Sequence, residues 1–159
     1  MIVKAILDED FNDYKKPSLF IAFPVCTLKC DRLNNCKVCQ NSALLKEPDI
    51  PVDISKLVKR YLKNNLTEAI VCGGMDPLDS FSDLHRFIFT LRVLYECNDD
   101  VVIYTGYDKA EIQDKIEILQ KFPNIILKYG RYIMNQQPHY DDVLGVNLAS
   151  NNQYAEKIS

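Results

Sequence analysis

The sequence predicts an α/β domain, a mostly parallel sheet with helices packed against it. Short apolar runs rich in β-branched residues alternate with longer segments whose apolar residues recur every three or four positions. Parallel strands need a crossover between them, usually a helix, so this alternation points to β-α units. The runs SLFIAF, AIVC and VVIY are followed at once by Pro24, by Gly73-Gly74 and by Thr105-Gly106, the mark of strands that stop abruptly. No repeat, low-complexity tract or linker interrupts the chain. Its 159 residues suit a single domain, residues 1–159, with one core.

The elements follow in order. Met1–Leu7 alternates loosely and reads as an edge strand. Ser18–Phe23 is a buried strand ended by Pro24. The segment after it carries Asp31, Arg32, Asn34 and Asn35 and reads as a loop. Asp53 precedes a helix whose Ile54, Leu57, Val58, Tyr61 and Leu62 paint one face. Ala69–Cys72 is a strand running into the Gly73-Gly74 turn. Phe81, Leu84, Phe87, Ile88, Leu91, Leu94 and Tyr95 mark a second helix, capped by Asp79 or Ser80. Val101–Tyr104 is a strand, and Asp108 with Glu111 opens a third helix through Ile112, Ile116 and Leu119. Ile125–Tyr129 is another strand, and Val143–Leu148 is the one strand expected in the tail. In open α/β sheets functional loops sit at the carboxyl ends of strands. The segment after Phe23 and the turns at Gly73-Gly74 and Thr105-Gly106 should therefore gather on one rim.

Composition narrows the function. A net charge of −3, from 19 basic and 22 acidic residues, lacks the basic footprint of a nucleic-acid binder. No apolar run approaches the roughly 20 residues that span a bilayer. Met1–Asp10 has no basic start and small-residue cleavage site, so it does not read as a signal peptide. A cytoplasmic setting with reduced thiols is expected. Six cysteines is a high count for such a protein, and Cys26, Cys30, Cys36 and Cys39 fall within one short segment. Reduced cysteines packed this way read as metal ligands.

Thiolates are soft donors suited to iron–sulfur clusters or zinc. An electron-transfer cubane uses four cysteines, whereas a catalytic metal keeps one position open. Three thiolates suffice for the second case. A four-cysteine zinc module, spaced C-x3-C-x5-C-x2-C, is the competing reading. Cys72 reads as a small buried strand residue and Cys97 as a residue near a helix end. His85 reads as a surface residue and His139 as a loop residue; Lys128 and Arg131 follow a strand, where they could meet a carboxylate or a partner, and a solvated position is the favoured reading for each. Gly73-Gly74-Met75-Asp76-Pro77 follows a strand. Glycine there lets backbone carbonyls approach a ligand, and Asp76 adds negative charge, which suits an ammonium group.

The segments CTLKC and CQNS resemble the CxxxCxxC signature of the radical S-adenosylmethionine (SAM) enzymes, whose three cysteines ligate a [4Fe–4S] cluster. Cys26 and Cys30 match the first spacing, and eight residues separate Cys30 from Cys39 where the family has two. The ligand set that the resemblance implies is Cys26, Cys30 and Cys39, with Cys36 in an insertion. The alternative keeps the second spacing through Cys36 and Cys39. GGMDP resembles the family's GGE-P or GGD-P motif, which binds the methionine moiety. The resemblance thereby implies SAM contacts at Val38, Asn41, Gly73, Gly74, Met75, Asp76 and Thr105.

FPVC, CQNSAL, GGMDPLDS, VVIYTGY and GVNLASNNQ fall in the order found in the anaerobic ribonucleoside-triphosphate reductase-activating proteins, and KYGRY stands where they usually carry DGPF. This resemblance implies an open, partial (β/α) barrel with an iron–sulfur loop after an early strand. With about four or five β-α units the chain is too short for an eight-fold barrel, which takes roughly 200 residues or more. It implies reductive cleavage of SAM to methionine and a 5′-deoxyadenosyl radical, which removes hydrogen from a glycine of the reductase large subunit. The implied cofactors are a [4Fe–4S] cluster and SAM, and the implied electron donor is a low-potential protein such as flavodoxin. No catalytic acid or base is expected. Other classes stay open: an activase of another glycyl-radical enzyme, a radical SAM enzyme acting on a small molecule, or a non-catalytic zinc module.

Overall fold

The computed structural model describes residues 1–159. Its strands are β1 (Ile2–Val3), β2 (Ala5–Asp10), β3 (Ser18–Phe23), β4 (Ile50–Pro51), β5 (Ala69–Gly74), β6 (Asp100–Tyr104), β7 (Ile125–Tyr129), β8 (His139–Asp141), β9 (Val146–Leu148) and β10 (Tyr154–Lys157). The helices are α1 (Lys29–Asn34), α2 (Ile54–Leu62), α3 (Phe81–Phe89) and α4 (Gln113–Leu119).

Six strands form the central sheet in the order β10-β7-β6-β5-β3-β2. β3, β5, β6 and β7 run parallel, and β2 and β10 pair antiparallel at the two edges. The sheet is mixed and mostly parallel, and it does not close into a barrel.

Each parallel strand lies next to its predecessor, always displaced the same way. Right-handed crossovers then send every helix to one face. The packing follows this rule. Leu19, Ile21, Phe23, Ile70, Cys72, Val101, Ile103 and Leu127 share one core with Leu57, Val58, Leu84, Phe87, Ile116 and Leu119 of the helices. The alternate strand residues Ala69, Val71, Val102 and Ile126 face the other way. There no helix covers them. The tail does, through Leu144 and Leu148, with Tyr14 from the β2–β3 connection. Gly145, at φ +74°, packs so closely on Lys15 that a Cβ would stand 2.6 Å from the lysine Cβ, which fixes the hairpin of β8 and β9 onto that connection. The tail and this connection thus cover part of the inner face of the sheet.

Helix starts follow the expected chemistry at two places. Asp53 Oδ1 accepts the Lys56 amide at 2.9 Å to begin α2. Asp108 and Glu111 form a reciprocal capping box, although it opens a short 3₁₀ turn, Lys109–Glu111, that precedes α4. The second helix refines the sequence reading. Ser80 stands at the N-cap of α3, as one of the two candidates, but makes no side-chain capping bond; Asp76 caps the 3₁₀ turn Pro77–Ser80 that leads into it, accepting the Leu78 amide at 3.0 Å. Asp79 is drawn off to the Thr27 amide and the Tyr107 hydroxyl. The tail departs too: β9 covers only Val146–Leu148, and His139 lies in strand β8. His85 is half-buried against Phe81 and Phe122.

One acidic group sits in a costly place. Burial, with Asp10 beside it, pushes the Asp13 carboxyl up to about 6. A carboxyl raised in the folded state binds protons more tightly there than when unfolded, so its contribution to stability falls as pH rises from about 4 to 6. Asp13→Asn is therefore expected to be more stable than the wild type at pH 7, by about 1 kcal/mol after discounting for partial exposure. The gain should vanish below pH 4 in urea unfolding.

Candidate functional site

The carboxyl ends of the four parallel strands are stitched into one rim. The Met75 and Asp76 amides donate to the Phe23 and Val25 carbonyls, Thr105 to Lys128, and Gly130 to Tyr107. Asp76 is the centre of this stitching. It is 7% exposed, and its carboxylate accepts the Thr105 hydroxyl at 3.0 Å and the Gly106 amide at 2.9 Å in addition to the Leu78 amide. Burial pushes its carboxyl up, and these donors pull the other way. Much of the hydrogen-bonding capacity of Asp76 and Thr105 is therefore spent on joining the β5 and β6 turns.

The cysteine segment hangs from this rim. The Thr27 amide reaches Asp79 at 2.9 Å, and the Tyr107 hydroxyl donates to the same carboxylate at 2.7 Å. The Tyr107 ring carries Lys29 Nζ at 4.6 Å and the Arg131 guanidinium at 5.4 Å. Arg131 pairs with Glu111 at 2.7 Å, so it is a braced residue and not a solvated one. Tyr107→Phe keeps the ring and loses the bond to Asp79. It is expected to cost about 1 kcal/mol in denaturant unfolding.

Eight residues between Cys30 and Cys39 still bring both thiols to one wall, and α1 with Asp31 explains how. The segment is not the plain loop expected. A short helix begins after Leu28, which takes the left-handed conformation at φ 53°. Asp31 Oδ1 then accepts the Val38 and Cys39 amides, each at 2.9 Å. The chain is pulled back over its own helix, Cys39 returns to the wall and Cys36 is left exposed. Asn34 fastens the helix across the rim, bonding the Tyr132 carbonyl at 3.0 Å. Asn41 Nδ2 donates to the Gly74 carbonyl at 2.6 Å, which ties the cysteine segment to the glycine turn.

These elements enclose a cavity of about 330 Å³, within the range of ligand sites. Cys26, Cys30, Cys39, Asn41, Gly73, Gly74, Met75, Asp76 and Thr105 all line it, whereas Cys36 and Val38 do not. Tyr104, Gly106, Lys128, Gly130, Tyr132 and Gln153 line it as well. Burial pushes the Cys26 thiol up to about 11 and the Cys39 thiol in the same direction. Metal loading would therefore release protons.

Three soft donors on one wall of a cavity fit an iron–sulfur cluster with an open coordination position. No three His, Cys, Asp or Glu side chains stand close enough to hold a single metal ion between them; a cubane takes one thiolate per iron and needs no such convergence. Cys72 is fully buried in the core and Cys97 is tied to Asp99, which removes both from the donor set.

For Lys128 the sequence reading favoured the wrong one of its two alternatives. Lys128 lies on the inner face at the end of β7, 6% exposed, where solvation was expected. Its Nζ donates to the Gly130 carbonyl at 2.9 Å, and burial pushes its ammonium down to about 8. The available signal was its place at the carboxyl end of an apolar strand, a position that points into such sites. Asp31 and Tyr107 carried no comparable signal, since their work depends on the path of the chain.

A family model described as a 4Fe-4S single cluster domain matches residues 18–154, and the chain belongs to that family. The match covers the cysteine segment, the rim and the start of β10. It supports an iron–sulfur protein with a 4Fe-4S cluster, a chemistry compatible with redox catalysis. No curated protein and no solved structure matches the chain. No helix is long and apolar enough to cross a membrane.

Proposed function

We propose that this protein is a radical SAM activase that installs a glycyl radical on the large subunit of an anaerobic ribonucleoside-triphosphate reductase. The observation that carries this reading is the shared cavity: Cys26, Cys30 and Cys39 line it together with the Gly73-Gly74 turn. Three thiols leave one iron of a cubane free, and a glycine turn facing them offers backbone to an amino-acid head. The order of motifs along the chain points to the reductase-activating proteins.

When bound, the cluster supplies the electron that splits SAM into methionine and a 5′-deoxyadenosyl radical. The chain's own residues do the rest. Cys26, Cys30 and Cys39 would hold the cluster, one iron each. Asn41 and Asp76 fix the glycine turn against the cysteine segment. Thr105 and Gly106 form the adjoining wall and help to exclude water. A low-potential donor such as flavodoxin delivers the electron.

Anaerobic mixing of the reconstituted protein with SAM, reductant and the reductase large subunit tests the reading. A glycyl-radical signal in electron paramagnetic resonance is expected on the large subunit. Cleavage of SAM without that signal would redirect the proposal to another glycyl-radical enzyme or to a small-molecule substrate.

A further inference from the structure

The residues between Cys30 and Cys39 do more than space the thiols. α1 has no buried residue and no side-chain cap at its start, and so short a helix does not hold itself in water. Across the cavity the chain leaves β7 at Gly130 and runs as a strap over residues 131–137. None of these residues is buried, and no main-chain hydrogen bond reaches them. The ends of the strap are fixed. Gly130, at φ +91°, donates its amide to the Tyr107 carbonyl at 3.1 Å, and a Cβ there would stand 2.9 Å from the main-chain oxygen of Asn152. Arg131 pairs with Glu111, and Gln136 accepts the Asn152 amide at 3.3 Å. Between these ends, Ser150 Oγ meets the Ile133 amide at a long 3.4 Å, and the remaining bonds all come from Asn34. Its Nδ2 donates to the Tyr132 carbonyl at 3.0 Å and to the Cys30 carbonyl at 2.8 Å, and its Oδ1 accepts the Met134 amide at 2.9 Å. One carboxamide spends both its protons and its oxygen on joining the cysteine helix to the strap.

Two elements without a core of their own thus meet at a single side chain, and whatever immobilises one steadies the other. A cluster ligated by Cys30 would immobilise α1, since Cys30 lies in that helix one turn before Asn34. Tyr132 lines the cavity. We propose that Asn34 is a positioning residue, a latch that makes cluster uptake and strap order one cooperative event, so that the Tyr132 wall of the cavity is complete only in the loaded protein. Loss of the cluster loosens that wall. The inference goes beyond the activase reading; it rests on the ligand set of that reading, Cys30 above all, and not on SAM.

The test follows amide hydrogen exchange across the strap in apo and cluster-reconstituted protein, for the wild type and for Asn34→Ala. Alanine is a better helix former than asparagine, so α1 should survive the change. Loading is expected to slow exchange of the Met134 amide in the wild type at least about 5-fold, the low end of couplings between two sites. In loaded Asn34→Ala that amide should exchange about 10- to 100-fold faster than in the loaded wild type, for two lost hydrogen bonds. Loading should no longer slow it, and the β7 amides should keep wild-type protection. Strap exchange that ignores loading in the wild type would overturn the proposal, as would slowing by loading that persists in Asn34→Ala. Loss of β7 protection together with the strap would also overturn it, marking Asn34 as a general support of the fold. A wild type that takes up no iron overturns the latch together with the ligand set on which it rests. Cluster uptake with the latched exchange pattern but no SAM cleavage upholds the latch and removes the activase reading alone.

Discussion

Cys30→Ala is expected to abolish both iron–sulfur loading and SAM cleavage, while Cys36→Ala retains both. The contrast follows from how the chain is routed. Cys26, Cys30 and Cys39 line one cavity and Cys36 is exposed outside it. Asp31 causes the difference by accepting the Val38 and Cys39 amides, which turns Cys39 inward and leaves Cys36 on the outside of the bend. On the proposed ligand set each thiolate would hold one iron, so removing one would leave two irons of the cubane unligated and the cluster exposed to loss. Iron content and visible absorbance after anaerobic reconstitution read this directly. A four-cysteine site would instead make Cys36→Ala as damaging as Cys30→Ala.

Gly74→Ala is expected to destabilise the fold by about 2–5 kcal/mol. Gly74 has φ +78°, and a Cβ there would stand 2.8 Å from both Cα and Cβ of Ala22 in β3. The left-handed conformation costs a non-glycine residue about 1–2 kcal/mol. Forcing a packed backbone apart adds about 1–3 kcal/mol. The neighbour is backbone held in the β3–β5 ladder, with Ala22 opposite Gly73 and Phe23 opposite Gly74, so it cannot swing aside. The same shift would move the carbonyl that holds Asn41. Urea unfolding should therefore report the lost stability, and the variant should also bind SAM less well. Gly73 is a milder case, since the nearest atom its Cβ would meet, at 3.1 Å, belongs to the Phe20 ring.

Much of this architecture is legible from local patterns. β3 and β7 begin and end where their apolar runs do, Asp53 caps α2, and the three turns do meet on one rim. These features depend on short-range chemistry or on the general geometry of β-α units. Other features depend on contacts between distant residues. β8 and β10 are short strands without a strong apolar run; their ladders to β9 and β7 hold them, and Asp141 ties the two together by accepting the Leu144 and Ala155 amides. Asp79 looks like a helix cap in sequence, yet Thr27 and Tyr107 claim it from elsewhere in the chain. Lys128 looks solvated because lysine usually is, and only the sheet register turns it into the cavity. The cysteine spacing is the sharpest instance. Eight residues depart from the family pattern, and a six-residue helix with a single aspartate absorbs the difference.

The most direct test of the account is the yield of 5′-deoxyadenosine when the reconstituted protein is incubated anaerobically with SAM and dithionite. The wild type and Cys36→Ala are expected to release it together with methionine, and Cys30→Ala to release none. A protein that carries its 4Fe–4S cluster and binds SAM yet forms no 5′-deoxyadenosine would contradict the account, as would one that holds stoichiometric zinc on all four cysteines and no iron.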